Sequence, residues 1–273
     1  KWDSAYYSEK LKQDRFNFDD EQLKPYFKLE NVIEGAFIVA HKLFGIDFIK
    51  TQDIDTYHKD VMTYKVVDLE RNLVAVFYAD FFPREGKRNG AWMTSFKPQY
   101  VKNGIQERPH ISIVCNFTKP TATKPSLLTF NEVTTLFHEF GHALHGILAN
   151  TTYPSLSGTN VAWDFVELPS QIMENWCYER EALALFAKHY ETGDRIPMDL
   201  IDKIKSASTF QQGIQTLRQL SFGLLDMSWH GIDPNTITNV KQQEKATFKQ
   251  TQLFPDVEQN CMSTAFSHIF QGG

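Results

Sequence analysis

Thr129-Phe130-Asn131-Glu132-Val133-Thr134-Thr135-Leu136-Phe137-His138-Glu139-Phe140-Gly141-His142-Ala143-Leu144-His145-Gly146-Ile147-Leu148 is the stretch on which the reading of this chain turns. Thr129 with Glu132 three residues on forms the pattern of a capping box, so a helix is expected to start here. At 100° per residue, with Val133 as zero, Phe137, Phe140, Leu144 and Ile147 fall within about 40° of it and make a core-facing stripe. His138 and His142 fall at about 140° and 180° on the same wheel and are expected to point away from the core. Histidines buried only for packing belong on the stripe. Residues four apart share a helix face about 6 Å apart along the axis. Two imidazoles so placed can meet one zinc ion at roughly 2.0–2.1 Å each. Glu139, at about 240°, stands beside that position, where it can take a proton from an attacking water and return it to a leaving amine. The bare H-E-x-x-H pattern also arises by chance; its facing on the helix is what speaks for a metal. His145 is about 10 Å from His138 along the axis, too far to share its ion. It reads as a support to the site or as a solvated residue.

A catalytic zinc needs a third protein ligand and an open position. Asp164-Phe165-Val166-Glu167-Leu168-Pro169-Ser170-Gln171-Ile172-Met173-Glu174-Asn175-Trp176 offers one, with Glu167, Gln171 and Glu174 recurring on one helical face. Two readings stand. The acids form the solvated edge of an amphipathic helix, or they serve a metal, since acids among Phe165, Val166, Leu168, Ile172 and Trp176 are costly to bury otherwise. In the second reading Glu167 is the better ligand, and Glu174 or Gln171 orients a histidine.

These residues carry a resemblance. His138-Glu139-Phe140-Gly141-His142-Ala143-Leu144-His145, followed by Asp164 to Gln171 and by Glu174-Asn175-Trp176, resembles the thimet oligopeptidase/peptidyl-dipeptidase family of zinc metallopeptidases. The resemblance extends from Trp2-Asp3 and Tyr6-Tyr7, through Gly86-Lys87-Arg88-Asn89-Gly90-Ala91-Trp92-Met93, to His268. It implies a zincin-like catalytic region with one zinc ion per chain held by His138, His142 and Glu167. It also implies Glu139 as general base and short peptides as substrates. Gly86-Lys87-Arg88 with Ala91-Trp92-Met93, and Ser155-Leu156-Ser157-Gly158-Thr159-Asn160-Val161, resemble the bacterial peptidyl-dipeptidase (dipeptidyl carboxypeptidase) branch, whose members release C-terminal dipeptides. Oligopeptidases of the same family, which cut internally, are the runner-up.

His268-Ile269-Phe270-Gln271-Gly272-Gly273 resembles the start of a family segment that continues into a glycine- and tyrosine-rich loop touching substrate. The resemblance therefore leaves His268 as a candidate substrate contact. It implies that this loop, and the family's helical N-terminal region, lie outside the chain. The opening at Lys1-Trp2 agrees with an internal segment, so residues 1–273 are expected to be a partial catalytic domain, incomplete at both ends. For such a segment a zinc- and peptide-binding scaffold without turnover stays open.

Outward from the motif, the fold class expected is α+β, predominantly α-helical, with a small β-sheet. Residues 1–125 read as helices plus the sheet, and 126–273 as the helical zinc-site portion. Asn31 to Phe44 has helical periodicity and stops at Gly45; Met62 to Val67, Leu73 to Ala79 and Ile111 to Phe117 read as strands. Helices are expected through about residue 149, and over Asp164–His189, Met198–Ser206, Gln211–Trp229 and Val240–Thr251. Gly90 and Gly158 either let a peptide backbone approach or serve ordinary turns. His41, His58, His110, His189 and His230 lack ligand spacing, and Trp92, Trp163, Trp176 and Trp229 read as packing residues.

Composition narrows the class further. With 28 Lys+Arg against 33 Asp+Glu and a net charge of −5, the chain has no footprint for nucleic acid or an acidic membrane surface. No stretch is long and apolar enough to span a bilayer. Three cysteines without a C-x-x-C argue against a disulfide scaffold. They read as reduced thiols, favouring a cytoplasmic protein over a periplasmic one. A monomer is expected.

Overall fold

The computed structural model describes residues 3–17 and 19–271; Lys1-Trp2 and Gly272-Gly273, invoked above at the chain's ends, lie outside the described residues. Its elements are α1 (Ser4–Phe16), α2 (Leu29–Phe44), β1 (Asp47–Thr51), β2 (Met62–Val67), β3 (Leu73–Asp80), β4 (Trp92–Lys97), β5 (Tyr100–Lys102), β6 (Ile105–Glu107), β7 (His110–Val114), α3 (Phe130–Ile147), α4 (Trp163–Val166), α5 (Leu168–Glu174), α6 (Arg180–Phe186), α7 (Met198–Ala207), α8 (Gln212–His230), α9 (Val240–Phe248), α10 (Met262–Ala265) and α11 (His268–Gln271). The architecture is mixed helix and sheet with a small sheet, in line with the expected class. Two compact units are formed, Phe18–Lys205 and the pair Lys1–Asn17 with Ser206–Gly273. All strands among the described residues lie before residue 115, the elements from Phe130 onward are helical, and α3 buries its apolar stripe on the sheet.

In the larger unit the sheet runs β1-β2-β3-β7-β4. β3 and β7 are parallel, while the other neighbours are antiparallel. The turn from β2 to β3 is made by Asp68, whose carboxylate accepts from the backbone N–H groups of Glu70 and Asn72 at 2.9 and 2.8 Å. That leaves Arg71 in the left-handed region at φ 69°. β1 and β4 were not anticipated. Both are half-exposed and mixed in composition, so their strand character comes from pairing with β2 and β7 rather than from a run of apolar residues.

Phe37 of α2, Phe48 of β1, Phe77 of β3 and Phe140 of α3 meet in one aromatic cluster, with Phe37 and Phe48 stacked at 4.1 Å and Phe48 to Phe140 at 5.5 Å. This cluster fixes α2 and α3 against the sheet. Val133, Phe137, Phe140, Leu144 and Ile147 are all buried, as the wheel predicts, and the Thr129–Glu132 capping box forms. The opposite face of α3 is covered too. Leu136, Gly141, His142 and Ala143 are buried as well, because α5 lies across them. The histidine face looks onto α5, with His142 buried and His138 partly exposed.

The single helix expected over Asp164–His189 is broken into α4, α5, a 3₁₀ turn at Asn175–Tyr178, and α6. Pro169 explains the first break: without an N–H, and with a ring that clashes with a preceding turn, it fits only the first turn of a new helix. Glu179, extended at φ −92° and ψ 132°, makes the last break. Trp163 also departs from its packing role, standing 71% exposed.

In the smaller unit α8 and α9 pack together, and Ser8 of α1 donates to Gln211 at 3.1 Å. Its buried Glu244 accepts from the backbone N–H and hydroxyl of Ser263 at 2.8 and 2.9 Å. No helix among the described residues is long and apolar enough to cross a membrane.

Candidate metal centre

α3 supplies His138 and His142 one turn apart, and the turn between α4 and α5 supplies Glu167. Glu167 Oε2 lies 3.2 Å from His138 Nε2 and 3.1 Å from His142 Nε2. The three donor atoms all lie within 4.8 Å of one another. Ligands at roughly 2.0–2.1 Å around a tetrahedral zinc sit about 3.3 Å from each other, so these separations fit one small ion.

His138 has an acid partner at each ring nitrogen. His138 Nδ1 lies 2.7 Å from Glu174 Oε1. A neutral imidazole has one N–H; donated to Glu174, it leaves a lone pair on Nε2 facing the Glu167 carboxylate. Two lone pairs at that distance repel, so either a metal ion or a second ring proton belongs between them. The hydrogen bond to Glu174 pulls the His138 pKa up. His142, 9% exposed, moves the other way because burial disfavours its charged form.

Glu139 is 5% exposed, and its Oε2 has no hydrogen-bond partner among the described residues. Burial pushes its carboxyl up to about 7, with the Glu167 charge adding to the rise and His138 opposing it. A buried acid that no neighbour satisfies, next to converging donors, is the arrangement expected of a proton carrier.

The remaining candidates fall elsewhere. Gln171 is exposed, and its backbone carbonyl accepts from Asn175 at 3.4 Å. His145 is half-buried, edge-on to Phe165 at 6.2 Å, with Nδ1 buried and unpartnered among the described residues. Burial lowers its pKa. Gly158, at φ 57°, turns against α3; a Cβ there would stand 3.0 Å from Gly146 Cα. His268 is exposed at the start of α11, in the smaller unit.

Three features of this region escaped the sequence reading. Ser170, wholly buried, has its hydroxyl 2.7 Å from Glu167 Oε2 and 2.8 Å from the Glu167 carbonyl oxygen. Gly141 touches the backbone of Pro169 and Ser170. Arg84 and Lys87, read as a polar loop, reach inward to Asp80. Only Ser170 left a signal, as a hydroxyl one turn after a candidate ligand.

The profile of Peptidase family M3 matches residues 1–273. The chain belongs to peptidase family M3, a family of metallopeptidases. Among M3 relatives, it is 43% identical over 275 residues to the dipeptidyl carboxypeptidase of Escherichia coli, covering 100% of this chain and 40% of that protein. It is 42% identical over 275 residues to oligopeptidase A of the same organism, with the same coverage. A thimet-like oligopeptidase of Dictyostelium discoideum is 34% identical, over 99% of this chain and 41% of its own length. The chain thus spans about 40% of the length of the M3 relatives it matches.

Proposed function

We propose that the protein hydrolyses short, unstructured peptides at a single zinc ion and releases dipeptides from their C-termini. The observation that carries this reading is the convergence of His138 Nε2, His142 Nε2 and Glu167 Oε2, with buried Glu139 beside them. When bound, zinc supplies Lewis acidity and makes water more acidic. The chain's own residues do the rest. His138, His142 and Glu167 present the donors, and Glu174 holds the His138 ring. Glu139 takes a proton from the attacking water on its free carboxylate oxygen and delivers it to the amine of the departing peptide.

Dipeptide release rests on the loop signatures and on the relative named for that activity. Internal cleavage is the second reading, favoured by near-equal identity to oligopeptidase A. A cytoplasmic, monomeric enzyme is part of the same proposal.

The test is digestion of a set of short peptides by the full-length protein, with products read by mass spectrometry and zinc measured alongside. Stepwise loss of two residues from the C-terminus supports the first reading, and internal fragments at the earliest times select the second. One equivalent of zinc without cleavage would leave a binding scaffold. Wild-type turnover in Glu139→Gln would remove the mechanism.

A further inference from the structure

The H-E-x-x-H motif names two donors and the family resemblance a third, but neither says what brings Glu167 to the two histidines. Glu167 is half-exposed, and a glutamate side chain on a surface keeps most of its rotamer freedom. Two contacts at the α3–α5 crossing remove that freedom.

The first is at Gly141. A Cβ there would lie 2.5 Å from the Pro169 carbonyl oxygen, 2.6 Å from Ser170 Cα and 2.9 Å from the Pro169 carbonyl carbon. All three are backbone atoms in the first turn of α5, so no side-chain rotation relieves the clash. Any residue but glycine at 141 moves the start of α5, and Glu167 is the residue that caps it. Elsewhere on α3 the contrast is clear. A Cβ at Gly146 would meet first the Ile111 Cδ1 methyl, at 2.7 Å, and then Met93 Cε, at 3.1 Å, both ends of side chains that can turn aside.

The second contact is the Ser170 hydroxyl. Both acceptors within its reach belong to Glu167: Oε2 at 2.7 Å and the backbone carbonyl at 2.8 Å. Oε2 is the atom that faces both imidazole nitrogens. A carboxylate oxygen has lone pairs for both jobs, one toward Ser170 and one toward the space between the histidines.

We infer that Gly141 and Ser170 are positioning residues for the third metal ligand. Bare Gly141 lets α5 close onto α3, and the Ser170 hydroxyl pins the Glu167 carboxylate between the imidazoles. The inference rests on the metal-site reading above, and the experiment separates the two. Zinc affinity of the full-length protein is measured by competition with a chromophoric chelator for wild type, Ser170→Ala, Gly141→Ala and His142→Ala. The thermal midpoint of each chelator-treated protein is recorded in parallel.

Ser170→Ala weakens zinc by about tenfold with the metal-free midpoint unchanged, and Gly141→Ala weakens it by about a hundredfold. A purely structural serine would do the opposite, lowering the midpoint and leaving the affinity alone. Wild-type affinity in Ser170→Ala overturns the inference, whether or not Gly141→Ala folds. If His142→Ala also binds zinc like wild type, the metal-site reading falls with it.

Discussion

Asp80 and Glu139 are both carboxylates taken out of water, 1% and 5% exposed, in the same compact unit, yet their surroundings are opposite. Asp80, at the end of β3, accepts the Arg84 guanidinium on both oxygens at 2.8 Å, Lys87 at 2.9 Å and the Tyr57 hydroxyl at 2.9 Å. Lys87 also donates to the carbonyls of Asp80, Phe82 and Cys115. Burial raises the Asp80 pKa, but those donors outweigh it and hold the carboxyl below its usual range. At Glu139 burial wins and the carboxyl rises to about 7. Burial alone thus says little about what an acid is for; the presence or absence of donors decides. Asp80 is an anchor for the loop after β3, and Glu139 keeps a buried oxygen with no donor among the described residues.

The largest effect expected is at Glu139. Glu139→Gln should lower peptide turnover by about 10²–10⁴-fold, the usual contribution of a general base. The thermal midpoint should stay level or rise, since an unpaired buried acid is replaced by a neutral group of the same shape. A marked loss of stability would mean that Glu139 has a structural partner, and the contrast with Asp80 would collapse. Asp80→Asn comes next. It strands two cations that are otherwise neutralised, at a cost of about 3–5 kcal/mol in urea unfolding. Turnover per folded molecule should change by no more than a few-fold. A variant as stable as wild type would show that Arg84 and Lys87 do not depend on the charge.

What the sequence discloses and what it hides divide along the same line. The stripe on α3, its capping box and the His138–His142 pair were legible because each depends on residues within a few turns of one helix. Glu167 was named by the resemblance and not by burial, since it stands half-exposed with Phe165, Leu168 and Ile172 exposed around it. The cover over the histidine face was not legible, because it depends on Gly141 meeting the backbone at Pro169 and Ser170, a contact across 28 to 29 positions that leaves no periodicity. The Asp80 network was hidden for a related reason. Arg84 and Lys87 sit in a glycine-punctuated polar loop, and what turns Lys87 inward includes the Cys115 carbonyl, 28 positions away. β1 and β4 were missed because short strands at a sheet edge take their conformation from a neighbour.

Glu174 tests whether a paired acid always belongs to the fold. It is bonded like Asp80, but to His138, a candidate metal ligand, so on the proposed function its loss should appear in metal affinity before stability. Glu174→Gln should weaken zinc about 10–100-fold in chelator competition, with a metal-free thermal midpoint close to wild type. A stability loss on the Asp80 scale with unchanged affinity would place Glu174 with the anchors.

The smallest effect expected is in acid. Because the folded pKa of Asp80 lies below its unfolded value, the folded state binds its proton less readily than the unfolded chain does. The stability that Asp80 contributes is therefore complete above the unfolded pKa of about 3.9, and is lost as pH falls through the folded value. Urea midpoints of the metal-free protein, followed downward from pH 5, should fall more steeply for wild type than for Asp80→Asn. The variant has already lost the interaction that titrates. Glu244 in the smaller unit is also held low, since the Ser263 and Met262 N–H groups outweigh its burial, and it adds the same slope to both proteins, so only the difference between the curves belongs to Asp80. Parallel curves would mean that the cations around Asp80 are matched by residual contacts in the unfolded chain. Asp80 would then remain well packed in the folded protein without being an acid-sensitive anchor.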